Sequence, residues 1–371
     1  MQFFLARKKG KLLEKIPKLI EDKMSSQNGM HTYNEIKSQG EIWRQVFNSG
    51  KLQLDQINTW HDQKHDGVMF IGCGSTYYLS LTAAKIWTKL QKESALGVPS
   101  SEVWFYTDTT FSKHSPLLVA VSRSGETTET IQAIDVYKKR FAIEPMVVSC
   151  YPKSEMAQSA SIKILASAAQ EKSVAQTRSF SSMLLLCQMI AGKIAKDSTF
   201  FNALEQVPAV FPGLLARYEH IIEEIAKDKK YQHFVFLGSG INYGLASEVM
   251  LKMKEMSTSI SEVFHFMEFR HGPMSMITKN SLVIGLLSES HKEDEMLVLK
   301  GMKELGATTL ALVNNAKGVD ADFVVEFGAS LPEDACGLLY LPLLQLLAYY
   351  HSISKGLDPD NPTNLSAVVH L

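Results

Sequence analysis

The sequence GVMFIGCGS, residues 67–75, decides the fold. A short apolar run ends in a pair of glycines, Gly72 and Gly74, and a helical pattern follows from Tyr78 to Lys89. HFVFLGSG, residues 233–240, repeats this arrangement 166 residues later. Short apolar runs that alternate with helical patterns indicate parallel strands joined by crossover helices. The repeat therefore predicts two α/β domains in tandem.

Further matches at the same spacing extend the repeat. Ser122, after the apolar run LLVAV, aligns with Ser288. PMVVSC (145–150) and TTLALV (308–313) are predicted to be the third strands of the two halves. The fold class is α/β, with two flavodoxin-like domains, each a parallel sheet flanked by helices. The bounds that follow are a helical N-terminal extension over 1–44, a first domain over 45–197, a second domain over 205–355 and a C-terminal tail over 356–371.

A helix start is predicted inside the N-terminal extension. Thr32 and Glu35 are spaced as in a capping box, and Trp43 and Val46 fall at helical spacing after them. Residues 1–29 are amphipathic and basic, and we expect them to be an appendage to the core.

The composition of the 371-residue chain limits the classes of function. With 45% hydrophobic residues and a formal net charge of −1, the chain can bury two cores but lacks the basic surface that a nucleic-acid partner requires. No apolar run reaches the roughly 18 residues of a membrane span, and lysines interrupt the apolar N-terminus, so neither a membrane partner nor a secretory signal is expected. The four cysteines are scattered without metal-ligand spacing, which indicates free thiols and a cytoplasmic location.

The clearest functional motif is SRSGETTET, residues 122–130, which lies between an apolar run and a helical pattern. Backbone N–H groups at a helix start, small hydroxyls and a glycine turn together form a cradle for a phosphate. The alternative is an N-capped helix with a polar turn. The duplicate that begins at Ser288 reads SESH, whose acidic residue would repel an anion. We therefore expect one half to bind phosphate and the other to have diverged.

The two glycine turns, GCGST (72–76) and GSGIN (238–242), do not form a dinucleotide fingerprint. In the first, Ser-Thr-Tyr follows Gly-X-Gly, and no acidic residue closes a second strand about 20 residues later. A nicotinamide cofactor is therefore not expected. Ligands of such sheets bind at the carboxyl ends of the strands, which places Ser75 and Ser122 where chemistry is expected.

Candidate acid–base residues lie in the second half. Glu248, Lys252 and Glu255 are spaced i, i+4 and i+7, so they share one face of a helix. The alternative is a solvated ladder of ion pairs, since Glu four residues before Lys is a favourable surface arrangement. His271 lies in EFRHGP (268–273), beside a rigid Gly-Pro turn, where a structural role is the alternative. A carboxylate and an imidazole near a phosphate cradle would suit sugar ring opening and proton transfer next to a carbonyl.

With these motifs in place, residues 32–371 resemble the sugar isomerase (SIS) domain family. The resemblance is to the tandem-domain isomerase half of glucosamine-6-phosphate synthase and to stand-alone glucosamine-6-phosphate deaminases. The ordered landmarks that carry it are EIKSQ (35–39), GCGST (72–76), SRSGET (122–127), SVAQTRSF (173–180), LKMKEMS (251–257), EFRHGP (268–273) and GLDPDNPTNL (356–365).

The resemblance implies a role for each matching position. The residues that would bind the sugar and its phosphate are Ser75, Thr76, Ser122, Arg123, Ser124, Thr127, Val174, Gln176, Glu248 and Ser366. Among the catalytic groups, Glu255 would move a proton between C1 and C2 of the sugar, and Lys252 would line the same pocket. His271 would assist ring opening and would enter from the neighbouring subunit.

The same resemblance implies a homodimer with shared active sites and a C-terminal tail that closes over them. Its substrate would be a phosphorylated (amino) sugar. No metal or organic cofactor is implied, because the substrate's own carbonyl group acidifies the neighbouring C–H bond.

Three departures from the family pattern narrow the expected reaction. The sequence has no counterpart of the synthase's amidotransferase half, so glutamine is not expected to supply ammonia. Arg123 replaces the glutamine of the family's phosphate loop, which adds a positive charge and resembles the deaminase branch. Ala367 aligns with the synthase's imine-forming lysine, which argues against a lysine Schiff-base route and leaves the proton shuttle at Glu255 unaffected.

The expected reaction is therefore deamination of glucosamine 6-phosphate, which with water gives fructose 6-phosphate and ammonia. One alternative is aldose–ketose isomerisation or deglycation of another phosphosugar, which would use the same proton shuttle. A further alternative, from a different class, is a non-catalytic phosphosugar sensor. The presence of Glu255 and His271 argues against a sensor, since a sensor needs the cradle but not the base.

Overall fold

The computed structural model describes residues 28–368, so the part of the predicted extension over 1–27 lies outside the described residues. Within the described range the chain forms two five-stranded parallel sheets flanked by helices. The prediction of two tandem flavodoxin-like domains is confirmed. The domain bounds given above stay predictions.

The first half of the chain builds the first sheet. Its strands are β1 (Val68–Gly72), β2 (Ala95–Pro99), β3 (Leu117–Val121), β4 (Met146–Ser149) and β5 (Ile162–Leu165). The strand order is β2-β1-β3-β4-β5, and every neighbouring pair is parallel. The helices of this half are α1 (Met30–Lys37), α2 (Gln39–Lys51), α3 (Ile57–His61), α4 (Ser75–Gln91), α5 (Ser100–Phe105), α6 (Thr107–Phe111), α7 (Thr128–Phe141), α8 (Glu155–Ser159) and α9 (Arg178–Ile194), with 3₁₀ turns at Leu54–Gln56 and Ser167–Ala169.

The second half repeats this topology. Its strands are β6 (His233–Gly238), β7 (Ile260–Phe264), β8 (Ser281–Leu286), β9 (Thr308–Val313) and β10 (Phe323–Glu326). Read in the same direction as the first sheet, their order is β7-β6-β8-β9-β10, and all pairs are parallel. The helices are α10 (Ser198–Lys227), α11 (Asn242–Ser257), α12 (Phe266–Phe269), α13 (Lys292–Glu304) and α14 (Glu333–Ser354), with a 3₁₀ turn at Pro273–Met276.

Helix α14 lies in the core and packs against α10 and α11. By length and composition it could cross a membrane, because an 18-residue window within it has a mean hydropathy of 1.2. However, 89% of that window is buried inside the fold. A helix that is apolar on all sides is expected to be buried, and the packing of α14 inside the fold explains its high hydropathy.

The described part of the predicted N-terminal extension also packs into the core. Ile36 on α1 and Trp43 on α2 are fully buried. The indole Nε1 of Trp43 donates a hydrogen bond to Ser181 Oγ on α9, at 2.8 Å. Burying side chains of this size contributes on the order of 2–3 kcal/mol each. Residues 30–51 therefore pack against both halves: α2 contacts α9 and α10, and α1 contacts α14.

Strand numbering corrects one prediction. PMVVSC and TTLALV, predicted as third strands, are β4 and β9, the fourth strand of each half in chain order. The prediction missed β2 and β7, which are half-exposed and lack the continuous apolar run of the central strands. In β2, Gly97 has a packing role: a Cβ there would lie 2.6 Å from the backbone nitrogen of Leu81 on α4.

The predicted capping box at Thr32 and Glu35 is wrong. Helix α1 begins earlier, at Met30, so both residues lie inside it. The N-terminal N–H groups of α1 are capped by the C-terminal tail instead. Asp360 Oδ1 accepts from Thr32 N and Thr32 Oγ1, each at 2.7 Å, while Asp360 Oδ2 accepts from His31 N at 3.0 Å. A carboxylate at a helix N-terminus also interacts favourably with the helix dipole.

We expect Asp360→Ala to lower the free energy of unfolding by about 1–2 kcal/mol, because it leaves the first turn of α1 without its cap. Urea unfolding followed by circular dichroism measures this. Asp55→Ala is the matched control, since the Asp55 side chain is 90% exposed and lies 3.6 Å from its partner Lys193. Equal unfolding free energies for the two variants would show that the tail does not cap this helix.

Candidate active site

Helix α4 begins at the carboxyl end of β1, after the turn Gly72-Cys73-Gly74. Gly74 has φ +54°, in the left-handed region that favours glycine. Gly72 is required by space, because a Cβ there would lie 2.5 Å from the backbone of Thr76. The Thr76 hydroxyl closes the turn: it accepts from Cys73 N at 2.9 Å and donates to Cys73 O at 3.0 Å. The turn thereby presents Ser75 at the start of the helix.

Helix α11 begins in the same way after β6, and the two helices cross at close range. A Cβ on Gly244 would lie 2.5 Å from the Tyr78 carbonyl oxygen and 2.4 Å from Thr82 Oγ1. Thr82 Oγ1 donates to the Ile241 carbonyl across the crossing, at 3.0 Å. Only glycine allows this approach, which brings one face of α11 against the start of α4.

That face carries Glu248, Lys252 and Glu255. Lys252 Nζ donates to Ser75 Oγ at 3.0 Å and to Glu255 Oε2, and lies 3.3 Å from Glu248 Oε1. The side chains of Glu248 and Lys252 are fully buried, and that of Glu255 is 18% exposed. The alternative of a solvated surface ladder therefore does not apply. The four polar groups form one cluster, built from both halves of the chain, in which Glu255 faces solvent.

Burial and charge set the protonation of this cluster. Burial raises the pKa of Glu248 to about 8, despite the opposing effect of Lys252. Its carboxyl group makes no well-aligned hydrogen bond within the described residues. Burial lowers the pKa of Lys252, but the carboxylates of Glu248 and Glu255 raise that pKa by more. Burial thus favours the neutral form of Glu248, while Lys252 forms a close ion pair with Glu255.

The loop Ser122–Thr127 joins β3 to α7, beside β1 in the sheet. Gly125 has φ +67°, and its N–H donates to Ser122 Oγ at 3.1 Å. Ser122 Oγ lies 3.3 Å from Thr127 Oγ1, and Glu126 N donates to Ser124 Oγ at 3.2 Å. At the N-cap of α7, Thr127 makes no side-chain capping bond to the described first turn. The hydroxyls are thus gathered around a helix N-terminus, the arrangement that favours an anion.

The guanidinium group of Arg123 is occupied by hydrogen bonds to carbonyl groups of the chain. Its guanidinium donates to the carbonyls of Val174 (2.9 Å) and Ser173 (3.3 Å), and to the Ala367 carbonyl of the tail (2.8 Å). It lies 3.6 Å from Glu171, whose side chain is fully buried. In this structure Arg123 therefore ties the hydroxyl loop, the loop before α9 and the C-terminal tail together, and the phosphate contact predicted for it stays a prediction.

The corresponding loop of the second half is occupied by a side chain of the chain itself. Glu295, in the first turn of α13, accepts from Ser288 N at 2.6 Å and from Ser288 Oγ at 3.1 Å. Burial raises the pKa of Glu295 to about 7. Glu129 takes the matching position in the first half, but one of its carboxylate oxygens has no hydrogen-bond partner among the described residues. A carboxyl group of the chain itself thus bonds to the second loop, and no such bond from Glu129 to Ser122 is seen within the described residues.

The remaining predicted site residues fall into two groups. Val174 and Gln176 lie beside Arg123 and before α9, and Gln176 Oε1 is buried without a partner among the described residues. His271 and Ser366 are exposed. His271 N donates to Glu268 O in the turn after α12, and Ser366 Oγ donates to Val368 O. Neither joins the cluster on α11 through any contact described within the chain.

Sequence reasoning missed two supporting carboxylates. Glu171 accepts from Thr177 N (2.7 Å), Ser179 N (3.1 Å) and both of their hydroxyls, so it caps α9 while facing Arg123. Glu35 accepts from Lys172 N and from the Ser173 hydroxyl. Together they fix the loop that carries Val174 and Gln176. The pattern of acidic residue, hydroxyl and helix start in EKSVAQTRS was the signal that could have indicated Glu171.

A cavity of about 420 Å³ opens beside the hydroxyl loop. Ser124 and Arg123 line one side, Tyr151 and Lys153 another, and the tail residue Ala367 closes a third. The cluster on α11 lies outside this cavity. A group of side chains with metal-ligand geometry, His61, His65 and Glu93, also lies elsewhere among the described residues. The cluster and the hydroxyl loop consist of hydroxyls, carboxylates and one ammonium group.

Comparison with known proteins identifies the family of this chain. The SIS domain family model matches residues 63–193 and 228–322, one segment in each half. The glutamine–fructose-6-phosphate aminotransferase (isomerizing) of Sulfurisphaera tokodaii is 30% identical over 303 residues, which cover 81% of this chain and 49% of that protein. The chain spans about half the length of the curated relatives it matches.

Two solved structures share the fold. A glucosamine-6-phosphate deaminase from Thermotoga maritima is 29% identical with a TM-score of 0.73, covering 92% of this chain and 100% of that chain. A tagatose-6-phosphate ketose/aldose isomerase from Escherichia coli is 19% identical with a TM-score of 0.81, covering 90% and 95%. The two matched segments, which together make up more than half of the chain, show that this chain belongs to the SIS domain family.

Proposed function

We propose that this protein is an amino sugar phosphate deaminase that converts glucosamine 6-phosphate and water into fructose 6-phosphate and ammonia. The observation that carries the proposal is the buried Lys252–Glu255 pair held against Ser75, at the strand ends beside an open hydroxyl loop. A phosphate cradle and a positioned carboxylate, both at the carboxyl ends of strands, suit proton transfer on a phosphosugar.

The phosphate would bind at the start of α7. Ser122, Ser124 and Thr127 present hydroxyls there, and the N-terminus of the helix adds backbone donors and a favourable dipole. Binding energy from the phosphate, which does not react, would hold the sugar in place for chemistry at the other end. The phosphate and the reacting carbons would thus occupy two subsites, one contributed mainly by each half.

The proton shuttle would be Glu255. In the ring-opened sugar the C1 aldehyde acidifies the C2–H bond. The Glu255 carboxylate takes that proton while O1 gains a proton from water, which gives an enolamine. Returning the proton to C1 leaves an iminium at C2, which water hydrolyses to the ketone and ammonia. Lys252 would orient this carboxylate through its hydrogen bond to Glu255 Oε2.

Ser75 and Glu248 would position Lys252 rather than react. Ser75 accepts from Lys252 Nζ, and Glu248 lies on the opposite, buried side of the ammonium. A neutral Glu248 leaves only one negative charge to balance Lys252, and that charge is Glu255. The ion pair is therefore directed toward the substrate side of the helix.

His271 and the tail would complete the site. His271 is exposed within its own chain, which fits a role at a second copy's active site in a homodimer, where it would assist ring opening. The tail reaches Arg123 through the Ala367 carbonyl, so it lies beside the hydroxyl loop and would close over bound sugar. The four cysteines are free thiols, which fits a reducing compartment such as the cytoplasm.

The deaminase of Thermotoga maritima supports this reaction over others, because it matches almost the whole of both chains at 29% identity. Aldose–ketose isomerisation or deglycation of another phosphosugar would use the same groups and differs only at the C2 substituent. These reactions are therefore alternative outcomes of the same experiment.

We expect the purified protein to release ammonia from glucosamine 6-phosphate, and Glu255→Gln to reduce turnover by at least about 10³-fold while phosphosugar binding is kept, because the amide cannot carry the proton. Coupled ammonia assay and isothermal titration calorimetry measure the two quantities. Galactosamine 6-phosphate is assayed alongside to identify the sugar.

Glu304→Gln is the matched control, since Glu304 is an exposed glutamate at the end of α13. Its turnover should equal that of the unmodified protein. Unchanged turnover in Glu255→Gln would remove Glu255 from the mechanism. No ammonia from either sugar, with phosphosugar still raising the melting temperature, would replace the deaminase by an isomerase, a deglycase or a sensor.

The raised pKa of Glu248 has a consequence for stability. The folded chain keeps a proton on Glu248 up to a pKa of about 8, whereas an unfolded glutamate releases it near 4.5. This contribution to stability is complete below pH 4.5 and is lost as the pH rises through about 8. Glu248→Gln stays neutral throughout. We therefore expect the variant to gain stability relative to the unmodified protein as pH rises, by a few kcal/mol in all.

Thermal unfolding from about pH 5 to about pH 9 tests this expectation. The melting-temperature difference between Glu248→Gln and the unmodified protein should grow with pH and then level off. Glu304→Gln, with its exposed side chain, should show a constant difference. A constant difference for Glu248→Gln as well would mean that Glu248 is ionised in the folded state.

A further inference from the structure

Three side chains of metal-ligand type lie close together at the amino ends of strands in the first sheet. The hydroxyl loop lies at the opposite, carboxyl end of the strands. His61 ends α3, His65 lies in the segment before β1, and Glu93 lies in the turn between α4 and β2. They therefore sit at the amino ends of β1 and β2, whereas the cluster with Ser75 sits at the carboxyl end of β1. The proposed function uses none of these three residues.

Their donor atoms converge. His65 Nε2 lies 2.5 Å from Glu93 Oε1, and His61 Nε2 lies 3.5 Å from Glu93 Oε2. One ligand atom of each residue lies within 4.8 Å of those of the other two. The three side chains are between 10% and 26% exposed, so the group is partly shielded and still open to an entering ion.

Contacts with neighbouring groups fix the orientation of these side chains. His65 Nδ1 lies 2.6 Å from the Gln63 carbonyl, so that nitrogen carries a proton and donates it. In neutral imidazole, Nε2 then holds a lone pair that faces the Glu93 carboxylate. Trp87 Nε1 donates to Glu93 Oε2 at 2.8 Å, and the His61 ring packs against Trp87 at 5.6 Å. Hydrogen bonds of this kind to the outer atoms of ligands orient metal sites generally.

We propose that His61, His65 and Glu93 form a binding site for zinc or a similar borderline divalent cation. His65 Nε2 and Glu93 Oε1 lie 2.5 Å apart, at hydrogen-bond distance, so a bound cation would take the place of the proton between them. Two imidazole nitrogens and one carboxylate suit Zn²⁺, whereas calcium and magnesium require oxygen ligands. Three protein ligands leave a fourth tetrahedral position for water.

The role of this site is structural. The ion would join α3, the segment leading into β1 and the turn leading into β2, which are separate stretches of chain at one sheet edge. Because the site lies away from the hydroxyl loop, zinc should stabilise the fold without being needed for phosphosugar chemistry. The alternative occupant is a second proton on His65, which would form an imidazolium–carboxylate pair with Glu93.

The test is calorimetric titration of the full chain with ZnCl₂ after dialysis against chelator, with Co²⁺ used in parallel. We expect one high-affinity Zn²⁺ per chain, a higher melting temperature with the ion, and the visible absorption of tetrahedral Co²⁺. His61→Asn, His65→Gln and Glu93→Gln should each weaken binding at least about 10-fold, the cost typical of a disturbed metal site. Ammonia release should be the same with and without zinc.

His114→Gln is the matched control, because His114 is 74% exposed and pairs with Asp66 near the same sheet edge. It should bind zinc as the unmodified chain does. Glu93 also accepts from Trp87, so the two histidine variants carry the test if Glu93→Gln does not fold. Absence of stoichiometric zinc binding overturns the proposal, and so does zinc binding that none of the folded variants weakens.

Discussion

The close crossing of α4 and α11 is the constraint on which the rest of the structure depends. Gly244 lets α11 approach the Tyr78 carbonyl and Thr82 on α4, and this contact joins the two halves at the carboxyl ends of β1 and β6. It also sets Lys252 within 3.0 Å of Ser75, a residue of the other half. The candidate active site therefore exists only because the two sheets are locked in this relation.

Duplication supplied two similar half-sites, and small changes gave them different uses. In the first half the loop from Ser122 keeps its hydroxyls around the start of α7, while in the second half Glu295 bonds to the equivalent loop. The second half instead contributes the charged face of α11. A carboxyl group with its pKa raised to about 7 is a simple way to silence an anion site, since it satisfies the loop's donors from within the chain.

The sequence was informative where one local pattern determines structure. Buried central strands are visible in the sequence as apolar runs, and the helix starts that follow them are marked by glycine turns. The repeat, the sheets and the hydroxyl loop could therefore be predicted. Edge strands β2 and β7 could not, because half-exposed strands carry mixed residues. Long-range partners were also invisible: Asp360 capping α1, and Glu171 beside Arg123. Lys252 is buried because α4 and α11 cross closely, and no local sequence pattern predicts that crossing.

The central claim is that one half holds the phosphate and the other carries the base. A crystal structure of Glu255→Gln with glucosamine 6-phosphate tests it most directly. The account predicts phosphate at the start of α7, bonded to Ser122, Ser124 and Thr127, with C1 and C2 of the sugar beside residue 255. Phosphate bound at the Ser288 loop, or a sugar whose reacting carbons lie away from α11, would contradict it.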